Sequence, residues 1–390
     1  MKVLHVIPAL APRYGGPSMA AMEMVAALRE LDVDAMIATT DADGRSRLSV
    51  PIAVETVYRG VPAIFFRRNW NEPFGYSSGL AAWLTREVQR FDIVHVHAIF
   101  SHPCIAAARA CRNASIPFIV RPLGALDPWS LRRRKLAKKV LWAFGVFAML
   151  RDAAVIHYTT EAEKRLAEER LKLRNGIVIP IGIRLEEYQT RREPGEEQKW
   201  KPYVLVLSRL HPKKGLDVLI PAFLRATCDP SFNHWKLVLA GDGCAGHVEQ
   251  LRRLAGGSGR VLFPGWLMDD QKIAAIQNAE CLALPSRQEN FGLCVLEAMA
   301  CSVPVLVTPE VNLSQMVSEF LLGWACKLDE GGLEYELKHI MSSNDRQLRG
   351  SRGKRLAEGY SRSVCTSRLV STYHGILPAC STPALPGGGS

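Results

Sequence analysis

The sequence predicts an α/β protein made of two doubly wound, Rossmann-like domains that face each other across a cleft. Three observations lead there. A chain of 390 residues exceeds one ordinary hydrophobic core and suits two domains of roughly 180 to 200 residues. Short β-branched runs alternate with helical stretches from end to end, the pattern of parallel sheets covered on both faces. A polar stretch carrying Pro194 and Gly195, Arg184 to Pro202, divides these runs into two sets.

The first set of strand candidates is Lys2–Ile7, Ala35–Thr39, Ala63–Arg67, Ile93–His97, Phe118–Val120, Val155–Tyr158 and Ile177–Pro180. The second is Tyr203–Leu207, Lys236–Ala240, Val261–Phe263, Cys281–Leu284 and Pro304–Val307. The expected organisation is an N-terminal acceptor-side domain over 1–183, a linker over 184–202, and a ligand-binding domain over 203–360. A final helix over 361–377 is expected to return to the N-terminal domain, followed by a tail, 378–390, with no capacity to pack.

Composition narrows the class. The chain is 48% hydrophobic and 22% charged, with a formal net charge of +11, which suits an acidic partner such as a nucleotide, a phosphorylated lipid or an anionic membrane face. The ten cysteines form no C-x-x-C pair, and several lie in apolar runs, so a reduced, cytoplasmic protein without a cysteine metal site is expected. The N-terminus MKVLHVIPAL enters a strand directly and does not read as a signal peptide. The longest apolar run, Val140 to Leu150, is about half of what a bilayer span needs.

Open parallel sheets bind ligands at the carboxyl ends of their strands. There the second half places SRLHPKKG, GDG, PGW and PSRQENFG, four polar exits that together describe one rim. In the first, Arg209 and Lys214 stand where a strand ends and a helix begins. A helix N-terminus favours anions, and an Arg fork with a Lys ammonium makes a strong diphosphate site; Lys213 reads as a solvated neighbour. In the last, Glu289 precedes a helix and Glu297 lies inside it, so an ion-pair ladder does not explain their spacing. Each carboxylate accepts hydroxyls, and helix-terminal amides lie between them. Hydroxyls, an anion and more hydroxyls outline a nucleotide sugar.

In order and spacing, S-R-L-x-x-K-K-G, G-D-G and P-S-x-x-E-x-F-G-L-x-x-L-E-A-M-A resemble the retaining glycosyltransferases of family 4, the glycosyl transferases group 1, which have the GT-B fold. The N-terminal V-x-P-x-x-x-x-x-x-G-G-P-S, Val6 to Ser18, also matches, so the resemblance runs from about Lys2 to Leu377. It implies a hexosyltransferase acting on a nucleotide diphosphate sugar and a saccharide or lipid-linked acceptor, and RPLGALDPWSLR is similar to a bacterial exopolysaccharide and glycolipid subgroup. It implies that Arg209 and Lys214 hold the donor diphosphate and that Glu297 takes the ribose hydroxyls. Glu289 would contact the transferred sugar with the amides of Asn290, Phe291, Gly292 and Leu293. Gly15 and Gly16 would close over the donor, and Pro264 to Asp270 would lie against the base. His97, at a strand's carboxyl end, is expected in the cleft at the sugar or acceptor, with His95 structural. His97, Glu289, Arg209 and Lys214 form the expected catalytic set.

Departures matter too. Relatives carry a histidine where this chain reads Arg121-Pro122-Leu123, so Arg121 or Asp127 is expected to take its place, or the acceptor is handled differently. A glycine pair of relatives is replaced within TPEVNLSQMV. The D-x-D at Asp41 and Asp43 reads as a turn, and no metal or other cofactor is expected. No nucleic-acid partner is expected. The basic run Arg132, Arg133, Arg134, Lys135, Lys138 and Lys139, ahead of Trp142, Phe144 and Phe147, reads equally as a solvated helix start or as an interfacial helix at an anionic membrane. Rival readings are a nucleotide-sugar epimerase on the same fold and a non-catalytic membrane-associated binding protein.

Overall fold

The structure, a computed structural model, describes residues 1–70, 74–132, 135–193 and 195–377, and the backbone alone at Pro128 and Trp129. The first half supplies β1 (Lys2–Ala9), β2 (Asp34–Thr40), a small hairpin of β3 (Ala42–Asp43) and β4 (Ser46–Arg47), β5 (Glu55–Tyr58), β6 (Val61–Phe66), β7 (Ile93–His97), β8 (Phe118–Arg121), β9 (Val155–Tyr158) and β10 (Gly176–Val178). Eight of these form one sheet in the order β10-β9-β8-β7-β1-β2-β6-β5. Every pair in it is parallel except β5 with β6. Sequence reading missed β5, a four-residue edge strand whose Val57 is exposed and which therefore lacks the apolar run of a buried strand.

The second half supplies β11 (Tyr203–Leu207), β12 (Lys236–Ala240), β13 (Val261–Gly265), β14 (Cys281–Leu284), β15 (Val305–Val307) and β16 (Gly323–Ala325). They form a fully parallel sheet in the order β13-β12-β11-β14-β15-β16. The chain moves outward from β11 to β13, then resumes on β11's other side with β14. That reversal puts the switch point between β11 and β14, where a crevice opens at the strand ends. The two loops that leave there are SRLHPKKG and PSRQENFG. In the first sheet the reversal lies between β1 and β7.

The linker is ordered rather than loose. It holds a helix, Leu185–Gln189, whose Leu185 and Tyr188 are buried in the second core beside Leu205, Leu296 and Val305. At the other end, the helix Arg362–Ile376 leaves the second half and buries Cys365, Leu369 and Tyr373 among Val3, Ile7 and Ile37 of the first sheet. Its first residue, Arg362, pairs with Glu23 and Glu30 of the helix Gly16–Glu30. The chain thus crosses between its halves twice, and the crossings hold the halves together.

Candidate active site

β11 ends at Leu207, and a single 3-10 turn, Pro212–Lys214, carries the chain into the helix Leu216–Ala226. Gly215 turns that corner with φ +67°, and a Cβ there would stand 2.1 Å from the Pro285 carbonyl oxygen, so the β11 and β14 exits approach as closely as backbones can. On the β14 side, Gly292 at φ +71° caps the helix Leu293–Ala300. Glu289 is held by its own backbone: its N–H donates to Glu310 O at 2.9 Å, and Asn312 N–H donates to Glu289 O at 3.0 Å. The segment TPEVNLSQMV is therefore the brace for Glu289.

These loops enclose a cavity of about 320 Å³ lined by Arg209, Lys213, Lys214, Trp266, Lys272, Glu289 and Glu297, among others, and by Gly15, Gly16 and Pro17 from the opposite half. A Cβ built on Gly15 would meet Arg209 Nε at 3.7 Å, so the first half closes directly over the cationic loop. The structure thus brings together Gly15, Gly16, Arg209, Lys214, Glu289, Gly292, Leu293 and Glu297, residues spread over most of the chain.

Cations and carboxylates face this cavity together. Lys214 Nζ is ion-paired with Glu289 Oε2, both side chains largely buried. Burial alone would push the Glu289 carboxyl up, but the ammonium groups of Lys214 and Lys213 and the Asn290 backbone N–H outweigh it and hold the group ionised, below its usual range. Lys213 is pushed down, first by burial and then by its cationic neighbours Lys214 and Arg209, against the attraction of Glu289 and Asp127. It is a wall of the cavity, not the solvated lysine expected from sequence.

Glu297 has partners that no sequence motif announced. Its Oε1 accepts from Tyr188 Oη at 2.8 Å and from Lys272 Nζ at 3.0 Å, and Lys272 also reaches Tyr188 Oη at 3.0 Å. Tyr188 belongs to the linker and Lys272 to the helix Asp269–Gln277, so three separate elements fix one carboxylate. Trp266, 53% exposed, stands at the mouth with its Nε1 donating to Met268 Sδ at 3.0 Å.

Four expectations need correction. His97 does not line this cavity: it is wholly buried, its Nε2 lies 2.9 Å from His5 Nδ1, and its ring belongs to the wall of a second cavity at the carboxyl ends of β1, β7 and β8. Arg121 is also wholly buried, beside the same histidines, and cannot take the place of a cleft histidine. Asp127, half-buried in the loop after β8, is the group whose charge reaches across the cleft to Lys213. Asn290 and Phe291 do not line this cavity. The Asn290 side chain crosses to the first half, donating to Thr159 Oγ1 at 2.9 Å and Glu163 Oε2 at 3.2 Å, its N–H serves Glu289, and Phe291 is core. The physical reason is common to all four: which face of a strand or loop is covered depends on a distant element.

That covering is explicit for His97. In parallel register, His5, His95, His97, Arg121 and His157 share the sheet face under the helix Arg362–Ile376. His157 Nε2 lies 2.7 Å from the Ile179 carbonyl oxygen and so must carry hydrogen; neutral His157 then accepts at Nδ1 from His95 Nε2, leaving His95 Nδ1 to accept from Tyr373. The run from Tyr373 through His95 to His157 and Ile179 is satisfied with its rings neutral, whereas His5 Nε2, His97 Nδ1 and the Arg121 guanidinium nitrogens are buried without a hydrogen-bond partner among the described residues. Nitrogens of His5, His95 and His97 lie within 4.8 Å of one another. Part of their lone-pair capacity is spent on these bonds, however, and the buried Arg121 guanidinium opposes a cation. Asp41 Oδ1 accepts from Arg68 N–H at 2.7 Å, and Asp43 lies in the β3–β4 hairpin and pairs with Arg13.

Of the expected basic surface, Arg132, Lys135 and Lys139 are exposed, whereas Lys138 turns inward to Ser130 O at 2.6 Å; Arg133 and Arg134 lie outside the described residues. Leu136, Val140 and Phe144 are exposed by 80%, 55% and 82% in the same stretch. Among the described residues no helix is long and apolar enough to cross a membrane.

Comparison with known proteins accords with this geometry. Residues 15–182 match the glycosyl transferase 4-like domain and residues 187–347 the glycosyl transferases group 1 domain. A phosphatidyl-myo-inositol mannosyltransferase of Propionibacterium freudenreichii subsp. shermanii is 26% identical over 96% of this chain and 94% of its own. An N-acetyl-alpha-D-glucosaminyl L-malate synthase of Bacillus anthracis is 25% identical over 77% of this chain and 78% of its own. Among solved structures, Anabaena HepE in complex with UDP and glucose superposes with a TM-score of 0.74 at 20% identity, covering 96% of this chain and all of the other. With both halves matched and the two-sheet architecture shared, the chain belongs to the glycosyl transferases group 1 family and is a hexosyl-transferring glycosyltransferase of GT-B fold.

Proposed function

We propose that this glycosyltransferase moves a hexose, with retention of configuration and without a metal, from a nucleotide diphosphate donor to a lipid-linked or saccharide acceptor in bacterial glycolipid or exopolysaccharide assembly. The observation that carries the reading is the cavity closed by Gly15 and Gly16 on one side and by Arg209, Lys213, Lys214, Glu289 and Glu297 on the other. Three cations face the place of a diphosphate, where they would stabilise charge developing on the leaving group. Glu297 would take the ribose and Glu289 the transferred hexose. Trp266 would lie against the base. Retention is supported by the family, not by carboxylate spacing, and in this reading the leaving phosphate accepts the acceptor's proton on the face being substituted.

The exposed Leu136, Val140 and Phe144 among Arg132, Lys135 and Lys139 support a peripheral, cytoplasmic-face association with anionic lipid. The test is a survey of nucleotide sugars, with and without acceptor lipid extract and chelator. Acceptor-dependent nucleotide release, an α-linked product from an α-linked donor and indifference to chelator are expected. Release of free sugar and nucleotide regardless of acceptor would favour the epimerase reading instead.

A further inference from the structure

Beside the donor cavity lies a second one, of about 370 Å³, at the switch point of the first sheet, where β1, β7 and β8 end. Pro17 lines both, so whatever occupies the second cavity sits next to the sugar that is to be transferred. Its wall is made largely of Ile7, Ala42, Ile99, Phe100, Pro122 and Leu123.

Most polar side-chain atoms in this wall are already engaged. Ser18 Oγ donates to Ala9 O at 2.9 Å and Ser101 Oγ to Cys104 Sγ at 3.1 Å. Tyr14 Oη accepts from Gly44 N–H at 2.9 Å, and His97 Nε2 lies 2.9 Å from His5 Nδ1, while the buried His97 Nδ1 has no hydrogen-bond partner among the described residues. A bare saccharide entering here would give up water for a wall with few groups to replace it. A hydrocarbon chain would lose nothing.

The wall also continues toward the basic stretch. Lys138 Nζ stands 4.9 Å from the Phe100 ring centroid, anchored by Ser130, and the segment that begins there exposes Leu136, Val140 and Phe144. An amphiphile held with its head at the donor would therefore find apolar surface in the cavity and cationic surface beyond it.

We infer that this cavity is an acceptor subsite for hydrocarbon, so that the acceptor is an amphiphile whose apolar portion begins close to the hydroxyl that is glycosylated. This rests on the proposed glycosyl transfer for its biological meaning, but the binding is measurable without turnover. The probes are butyl, octyl and dodecyl β-glucosides, titrated calorimetrically below their micelle-forming concentrations, with glucose as the sugar control. Affinity should rise about threefold or more per methylene. Leu123→Asn should lower dodecyl affinity about tenfold and leave butyl affinity unchanged. Leu123 has φ +57°, a conformation asparagine adopts readily, so the variant adds polarity without strain.

Phe144→Ser separates the cavity from the exposed segment. Dodecyl binding that survives Phe144→Ser and fails in Leu123→Asn supports the cavity; the reverse pattern, or glucose binding as well as the dodecyl glycoside, overturns it. Lys214→Ala should retain the chain-length series. If no nucleotide sugar is ever turned over while that series persists, the functional reading fails and the hydrocarbon subsite stands.

Discussion

Tyr373 and His95 are 278 positions apart in the chain, and the Tyr373 hydroxyl donates to His95 Nδ1 across 2.8 Å inside the first core. Through that bond the helix Arg362–Ile376 closes a proton-ordered chain that runs from His95 to His157 and the Ile179 carbonyl. Removing the hydroxyl leaves a buried ring nitrogen unpaired. Tyr373→Phe should lower unfolding free energy by about 1–3 kcal/mol, read from urea denaturation. An unchanged midpoint would show that the bond contributes nothing.

The same layer makes the protein acid-sensitive. Burial first, then neighbouring charges, holds His5 and His157 down to about 3 and His95 and His97 well below their usual 6.5. Because the folded values lie below the unfolded ones, the unfolded chain takes up more protons beneath about pH 6.5. The stability these rings contribute is complete above that pH and is lost progressively as pH falls toward their folded values. Each contributes a slope of up to about 1.4 kcal/mol per pH unit. Denaturation midpoints measured from neutral pH downward should fall steeply; a flat profile would contradict the neutral assignment.

If the proposed donor site is right, Lys214→Ala should lower kcat about a hundredfold or more, because in that reading the cation faces charge that develops on the leaving group. Lys214 also pairs with Glu289, so the variant must be shown to fold, by its circular dichroism and melting curve. Intact folding with near-normal turnover would remove Lys214 from the catalytic set.

Lys272→Met should act differently. It removes one of the two donors that fix Glu297 Oε1 and leaves Tyr188 to hold it alone. The expected result is a rise of about tenfold in donor KM with kcat little changed, the signature of lost ground-state binding. Lys272→Arg should recover most of the affinity. A fall in kcat at saturating donor would instead return Glu297 to a role in the chemical step.

Asn290→Ala should loosen the closure of the halves. Its amide bonds Thr159 and Glu163 across the cleft, and Gly124 is close enough that a Cβ there would stand 2.8 Å from Asn290 Cβ. Losing these hydrogen bonds, one of them to a carboxylate, should lower kcat/KM by about tenfold. Small-angle scattering with and without nucleotide should show a more open average shape.

What the sequence by itself determined was whatever depends on neighbours in the chain. Alternating β-branched runs and helical stretches specify parallel strands, because strands buried on both faces need continuous apolar runs such as YVLVL and CLAL. The exits SRLHPKKG and PSRQENFG, which meet in one cavity, were legible because cations, glycine and a helix start lie within a few residues of each other. Only the tertiary structure decided the rest. His97 and Arg121 look like exposed cleft residues until the helix Arg362–Ile376, distant in the chain, covers their face of the sheet, which leaves both wholly buried and His97 at a cavity wall. Glu297 looks unaccompanied until the linker's Tyr188 and the distant Lys272 reach it. Asn290 looks like a ligand group until the other half offers Glu163. Strand periodicity names two faces, but which face meets solvent, ligand or core is set by contacts between segments hundreds of residues apart.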